Sequence, residues 1–215
     1  MSAPGADLTP ELAAATEWRL LALLLSRPRP GWREELAALA PEAPDRQLRT
    51  AAGEAAEASE GAYHALLGAG GRASPRAAAH AGFQDPGRIL ADLASRYAAF
   101  GFAPRAEEPA DHLAVECDFV AFLFLKEAYA RAGGQAEAAE VTREARARFL
   151  VEHVAIAGAR LARKLPEDAP SYLARAAGAL AARLPEAPPS APACEPGPEC
   201  DPLGGGCPAV AGRES

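Results

Sequence analysis

Aromatic side chains make up only 6% of this 215-residue chain, and its 22 lysines and arginines are outnumbered by 29 aspartates and glutamates. No cluster of basic residues interrupts that acidic balance. Proteins that hold DNA or RNA release counterions from phosphate through such clusters, so no nucleic-acid partner is expected. Apolar runs are short as well. The longest strongly apolar one is Leu20 to Leu25, far below the ~20 residues that span a bilayer, and no membrane insertion is expected. The N-terminus has neither the basic start nor the apolar core of a secretory signal. A cytoplasmic location is the expectation. Four cysteines are present, too few and too unevenly placed for the disulfide framework of a small secreted domain.

Catalytic signatures are missing too. There is no H-E-x-x-H, no Walker loop, and no G-x-G-x-x-G following a strand. Gly68-Ala69-Gly70-Gly71 is glycine-rich, but it follows a helical stretch and lacks a lysine, so it makes a poor phosphate cradle. Period-two alternation of β-branched residues is absent, which argues against strands. The chain is expected not to be an enzyme.

What is present is alanine. It dominates the apolar 49%, and it has the highest helix propensity and no side-chain entropy to lose. Leu8-Thr9-Pro10-Glu11 reads as a helix start with Thr9 as cap and Pro10 in the first turn. That helix should run to about Ser26, where Pro28 and Pro30 stop it. Further helices are expected around Trp32–Leu39, from Asp45 to about Leu67, from Pro86 to Phe100 with Asp85 as cap and Gly101 as breaker, and from Ala110 to Ala132. Two more should cover about Gln135 to Leu165 and Pro170 to Leu184. The Ala110–Ala132 helix is apolar on most of its circumference, the mark of a central helix. The fold class is therefore all-α. One helical-bundle domain of about seven helices should occupy residues 8–184.

From Pro185 the composition turns to Pro, Gly, Ala and acids, which cannot bury enough apolar surface to offset ordering. Residues 185–215 are expected to be a flexible tail. It carries Cys194, Cys200 and Cys207 in C-x5-C-x6-C spacing. Three thiolates are candidate ligands for a soft metal or iron–sulfur cluster. The tail has no C-x2-C pair and no histidine, however, and the main expectation is no bound metal and no cofactor. Cys117 reads as a small buried apolar residue. His153, on an apolar stripe, reads as a hydrogen-bonded core histidine.

The most distinctive string is Glu108-Pro109-Ala110-Asp111-His112, followed by Glu116 and by Phe119 and Phe122. Pro109 fixes the start of the helix, and Asp111 in its first turn suits the helix dipole. His112 is a donor with tunable charge. These residues have two readings: helix capping with His112 on a solvated face, or a polar corner where a client segment docks through charge-assisted hydrogen bonds.

The string resembles the E-P-x-D-H segment of the TorD-type redox-enzyme maturation chaperones, a family with DmsD- and NarJ-like members. Tyr97-Ala98-Ala99-Phe100-Gly101-Phe102 is similar to the end of the family's preceding helix, and Phe149-Leu150-Val151-Glu152-His153 to its F-x-x-x-H segment. The resemblance covers roughly residues 12 to 184. A loop that usually carries proline, serine and an aromatic appears here as Pro75-Arg76-Ala77-Ala78-Ala79-His80, keeping the proline alone.

The resemblance implies a molecular chaperone that binds an immature molybdenum-cofactor oxidoreductase of the dimethyl-sulfoxide-reductase superfamily. It would assist cofactor insertion and assembly before export or membrane attachment. The partner would be the catalytic subunit or its leader peptide, the client-binding residues Glu108, Pro109, Asp111, His112, Glu116 and Pro75, and the oligomer a monomer or a helix-swapped dimer. The competing readings are a helical ligand-sensing regulator, for which the first 50 residues offer no basic helix-turn-helix, and a metal or iron–sulfur carrier using the tail cysteines.

Overall fold

Leu20 to Leu25 lie side by side in the first helix, and all six are buried. A fully buried leucine contributes about 2 kcal/mol of transfer free energy, so this run anchors the core against which the rest of the chain packs. The computed structural model describes residues 7–80, 85–105 and 108–185. The order of helices is α1 (Thr9–Leu25), α2 (Trp32–Leu39), α3 (Arg46–Glu54), α4 (Glu60–Leu67), α5 (Pro86–Phe100), α6 (Leu113–Ala132), α7 (Ala136–Phe149), α8 (Ala155–Lys164) and α9 (Ser171–Ala181). Among the described residues there is no strand, and the architecture is one all-α domain. The tail expected from Pro185 onward, with Cys194, Cys200 and Cys207, lies outside the described residues apart from Pro185 itself.

The central helix is α6. Its buried residues include Leu113, Cys117, Phe119, Val120, Leu123 and Ala130, which point in several directions around the axis. One side packs along α1 in the most extensive helix pair of the molecule, and another packs on α7. Arg19 meets Asp118 at 2.7 Å, and Glu11 meets Arg131 at the other end. These pairs show that α1 and α6 run antiparallel. Trp32, fully buried, donates its indole N–H to the carbonyl of Leu23 at 2.8 Å and seats α2 against α1. Alanine and glycine permit close approach elsewhere. A Cβ added at Gly158 of α8 would stand 2.7 Å from Cδ1 of Leu184, beyond α9.

Helix boundaries depart from the sequence reading in four places. Thr9 does not cap α1: it is the first helical residue, and the carboxylate of Asp7 accepts its backbone N–H at 3.0 Å. The single helix expected over Asp45–Leu67 is two helices, because Ala58 adopts an extended conformation and Ser59 caps α4 by accepting from Ala62 N–H. The long helix over Gln135–Leu165 passes through a π-helical turn, Leu150–Val154, between α7 and α8. The central helix begins at Leu113 rather than Ala110, with His112 as its cap. Gly101 does end α5, in the left-handed conformation at φ 71° that glycine adopts without strain.

His153, in the π-helical turn, has no partner nearby in sequence. The fold brings a carboxylate close: its Nε2 lies 3.0 Å from Asp92 of α5, without hydrogen-bond geometry, and its ring stacks on Phe149. Cys117 is fully buried, as expected, and burial pushes its thiol well above the usual range.

Candidate functional site

The segment Glu108–His112 lies where the loop after α5 enters α6, and its last two side chains, Asp111 and His112, are turned inward. His112 is 2% exposed, and Asp111 and Glu116 are fully buried. Pro109 is exposed and Glu108 half-buried.

His112 Nδ1 accepts the backbone N–H of Ala114 at 3.1 Å, capping α6. Its ring proton therefore sits on Nε2, 3.0 Å from the Tyr63 hydroxyl. Tyr63, from α4, in turn donates to Glu108 Oε1 at 3.1 Å, and the same oxygen accepts the backbone N–H of Arg27 at 3.1 Å. The chain His112–Tyr63–Glu108–Arg27 thus ties α6, α4 and the end of α1 together. Burial outweighs the nearby Glu108 and Asp111 charges and lowers the His112 pKa to about 4, so the ring is neutral at neutral pH. Tyr63 is pushed the other way, first by burial and then by the Glu108 charge.

Asp111 faces the opposite direction. Its Oδ1 accepts from Nε and Nη2 of Arg76, at 3.0 and 2.8 Å, and its Oδ2 from the backbone N–H of Ala78 at 3.0 Å. The main chain joins in. Ala77 N–H donates to Asp111 O at 2.9 Å, and Leu113 N–H to Pro75 O at 3.0 Å. The loop from the buried Pro75 to Ala78 is strapped across the start of α6 through a single antiparallel bridge, Arg76 to His112. Tyr97 closes the corner by donating to Ala110 O at 2.9 Å.

Glu116 is one turn further along α6. Neither of its carboxyl oxygens has a hydrogen-bond partner among the described residues. Burial, reinforced by the Asp111 charge, raises its pKa to about 8, so the carboxyl is protonated at neutral pH.

Beside this corner the surface is concave. A cleft lined by Leu23, Ser26, Arg27, Arg29, Glu108 and Val115 opens next to Glu108. It continues, through Arg19, Arg105 and Asp118, into a groove of about 740 Å³ between α1, α2 and α6. The groove floor is Ala15, Leu39, Phe102, Ala121 and Phe122. Its charged rim is internally matched: Glu35 accepts from Arg19 and Arg29, and Arg19 also holds Asp118. Asp118, Phe122, Leu125 and Tyr129 follow one another at helical spacing on α6, the first two half-buried and the last two exposed. Leu125 is 48% and Tyr129 79% exposed, and Leu12 on α1 is 47% exposed.

The model of the family described as nitrate reductase delta subunit matches residues 27–155, more than half of the chain. The chain belongs to this family. It is a family of molybdoenzyme maturation chaperones of the NarJ/TorD type. No curated protein and no solved structure matches the chain. The delta-subunit match runs from just after α1 to the first residue of α8, so it includes α2, the strapped loop and the entire Glu108–Glu116 corner.

Within this delta-subunit frame, the residues singled out from sequence fall into two groups. Glu108 and Pro109 stand at the surface beside the cleft, whereas Pro75, Asp111, His112 and Glu116 are buried in its foundation. Asp111 does not serve the helix dipole as the sequence suggested, because α6 starts two residues later and Asp111 is committed to Arg76. The alternative of His112 on a solvated face is also corrected by its burial. Tyr63 and Arg76 are the members of the network that sequence reading missed. Tyr63 belongs to no motif in the sequence, and Arg76 lies in a loop that departs from the family pattern. No helix among the described residues is long and apolar enough to cross a membrane.

Proposed function

We propose that this protein is a chaperone for an immature molybdenum-cofactor oxidoreductase subunit, and that it takes a client segment into the groove between α1, α2 and α6. The carrying observation is the apolar stripe Phe122–Leu125–Tyr129 on α6: Phe122 and Leu125 line the open groove, and Leu125 and Tyr129 are left exposed. Contiguous apolar exposure rimmed by polar groups marks a protein-interaction surface. The eleven-residue rise from Asp118 to Tyr129 is roughly 17 Å, enough for about three turns of a docked helix. Membership in a family of molybdoenzyme maturation chaperones supplies the class of client.

In this reading Glu108 and Pro109 touch the client leader or catalytic subunit directly. Asp111, His112, Glu116 and Pro75 serve binding by holding the corner in place. The chaperone keeps its client in the cytoplasm until the cofactor is inserted, ahead of export or membrane attachment, and performs no catalysis of its own.

Co-expression with a molybdoenzyme subunit encoded beside the gene, followed by gentle affinity purification, tests the reading. The subunit should co-purify with the wild-type chain and fall about tenfold with Leu125→Asp/Tyr129→Asp, at an unchanged melting temperature. Equal recovery with both chains would remove the groove from the proposal. Recovery of no molybdoenzyme subunit at all would remove the client.

A further inference from the structure

On the opposite face of α2 lies a second depression, of about 490 Å³, between α2 and α3. Its floor is apolar and shallow, built from Leu36, Ala40, Pro41, Ala52 and Ala55, and its two charged lining residues are Arg33 and Arg49. Each arginine is held by backbone carbonyls alone. Arg33 donates Nε to Ala56 O at 2.9 Å and Nη2 to Ala58 O at 2.6 Å. Arg49 donates Nη1 to Ala43 O and Pro44 O, at 2.6 and 2.8 Å. Among the described residues no carboxylate pairs with either one. Glu42 and Glu57 are near in sequence, yet neither lines the groove nor reaches these guanidinium groups. In a chain of net charge −7, two fixed, unneutralised guanidinium groups beside an apolar floor ask for a ligand that is apolar and acidic.

The chain carries such a segment itself. Beyond Pro185 it continues for thirty residues, and residues 186–201 contain Glu186, Glu195, Glu199 and Asp201, no lysine or arginine, and otherwise mainly alanine and proline. Two residues before the described chain ends, a side chain reaches the start of α3. Arg183 Nη2 lies 2.7 Å from Asp45 Oδ2, and Asp45 caps α3 directly after Pro44, the residue whose carbonyl holds Arg49. The nine residues of α3 rise roughly 13 Å, a span that about five extended residues cover. The tethered segment has a high effective concentration there, and its prolines reduce the entropy lost on docking.

We propose that residues 186–201 dock in cis in the α2–α3 groove, with their carboxylates on Arg33 and Arg49, and cover its apolar floor. The proposal does not depend on the client reading. It does connect to it mechanically, because the other side of α2 contributes Leu39 to the client groove.

Amide hydrogen exchange on the full-length chain tests the proposal. Three variants are compared with wild type: the tail carrying Glu186→Lys, Glu195→Lys, Glu199→Lys and Asp201→Lys; the groove carrying Arg33→Glu and Arg49→Glu; and the two combined. Either reversal alone should speed exchange in α2 and α3 by roughly threefold to tenfold, the range expected for losing exposed ion pairs, and the combination should restore protection. The tail variant leaves every groove side chain in place, so its result stands even if the groove variant unfolds. Wild-type exchange in the tail variant, or no restoration in a folded combination, would overturn the proposal. Protection that rises with protein concentration would also overturn it, in favour of a second copy as occupant.

Discussion

Asp111, fully buried at the start of α6, holds the guanidinium of Arg76 through two hydrogen bonds of 3.0 and 2.8 Å while its second oxygen accepts the Ala78 N–H. Arg76 and Ala78 of the loop before α5 are thereby locked to Asp111 on the approach to α6. This one carboxylate converts an alanine-rich loop with little apolar side chain to bury into a fixed wall of the corner.

Removing either partner has a calculable cost. Arg76→Ala leaves the Asp111 charge buried with one backbone donor, and breaking such a pair from one side costs about 3–5 kcal/mol. Arg76 is 41% exposed, so water can replace part of its contribution, and a loss of about 2–4 kcal/mol is expected. Urea denaturation measures it. Amides of residues 75–78 should exchange faster in the same variant.

The His112 ring makes stability sensitive to acid. Its folded pKa of about 4 lies below the ordinary 6.5, so the unfolded chain binds a proton between those values while the folded chain does not. The associated stability is complete above pH 6.5 and is lost as pH falls toward 4, with a ceiling of about 3 kcal/mol. Tyr63→Phe removes the hydroxyl between His112 and Glu108 and should cost about 1–3 kcal/mol, because the ring N–H is left buried without an acceptor. Melting curves from pH 7 to 4.5, compared between the two chains, check both expectations.

Glu116 acts in the opposite sense. Its folded pKa of about 8 is far above the usual carboxylate value, so the folded chain keeps a proton that the unfolded chain releases. Stability from this group is complete below about pH 4.5 and is lost as pH rises toward 8. Glu116→Gln removes that dependence and should stabilise the protein at pH 7 by on the order of 3 kcal/mol, with almost no effect near pH 4.5. A Gln variant that melts like wild type at pH 7 would show that the carboxyl finds a partner in solution.

The open stripe on α6 separates binding from stability. Tyr129→Ala, at a side chain 79% exposed, should shift stability by less than about 0.5 kcal/mol. Client recovery should drop severalfold. Calorimetry and co-purification of the same preparation give the two readings.

Much of this was legible from residue order alone. Alanine content and helical periodicity specify an all-α chain, because propensity and amphipathic spacing are local properties. Asp85, Pro86 and Gly101 bound α5 as their chemistry requires, and the apolar circumference of α6 marks it as central. The E-P-x-D-H string leads to the family, whose model matches the chain. The sequence could not show that Ala58 breaks a helix in two, since alanine there carries no breaking signal. Nor could it join Asp111 to Arg76, 35 positions away, or His112 to Tyr63, 49 away. Those pairings exist because packing α4 and the Pro75 loop against α6 removes water, and each buried polar atom must then find a partner from whatever the fold brings near. Tertiary structure alone decided which members of the motif face the surface, leaving Glu108 and Pro109 at the cleft and turning Asp111, His112 and Glu116 inward to support it.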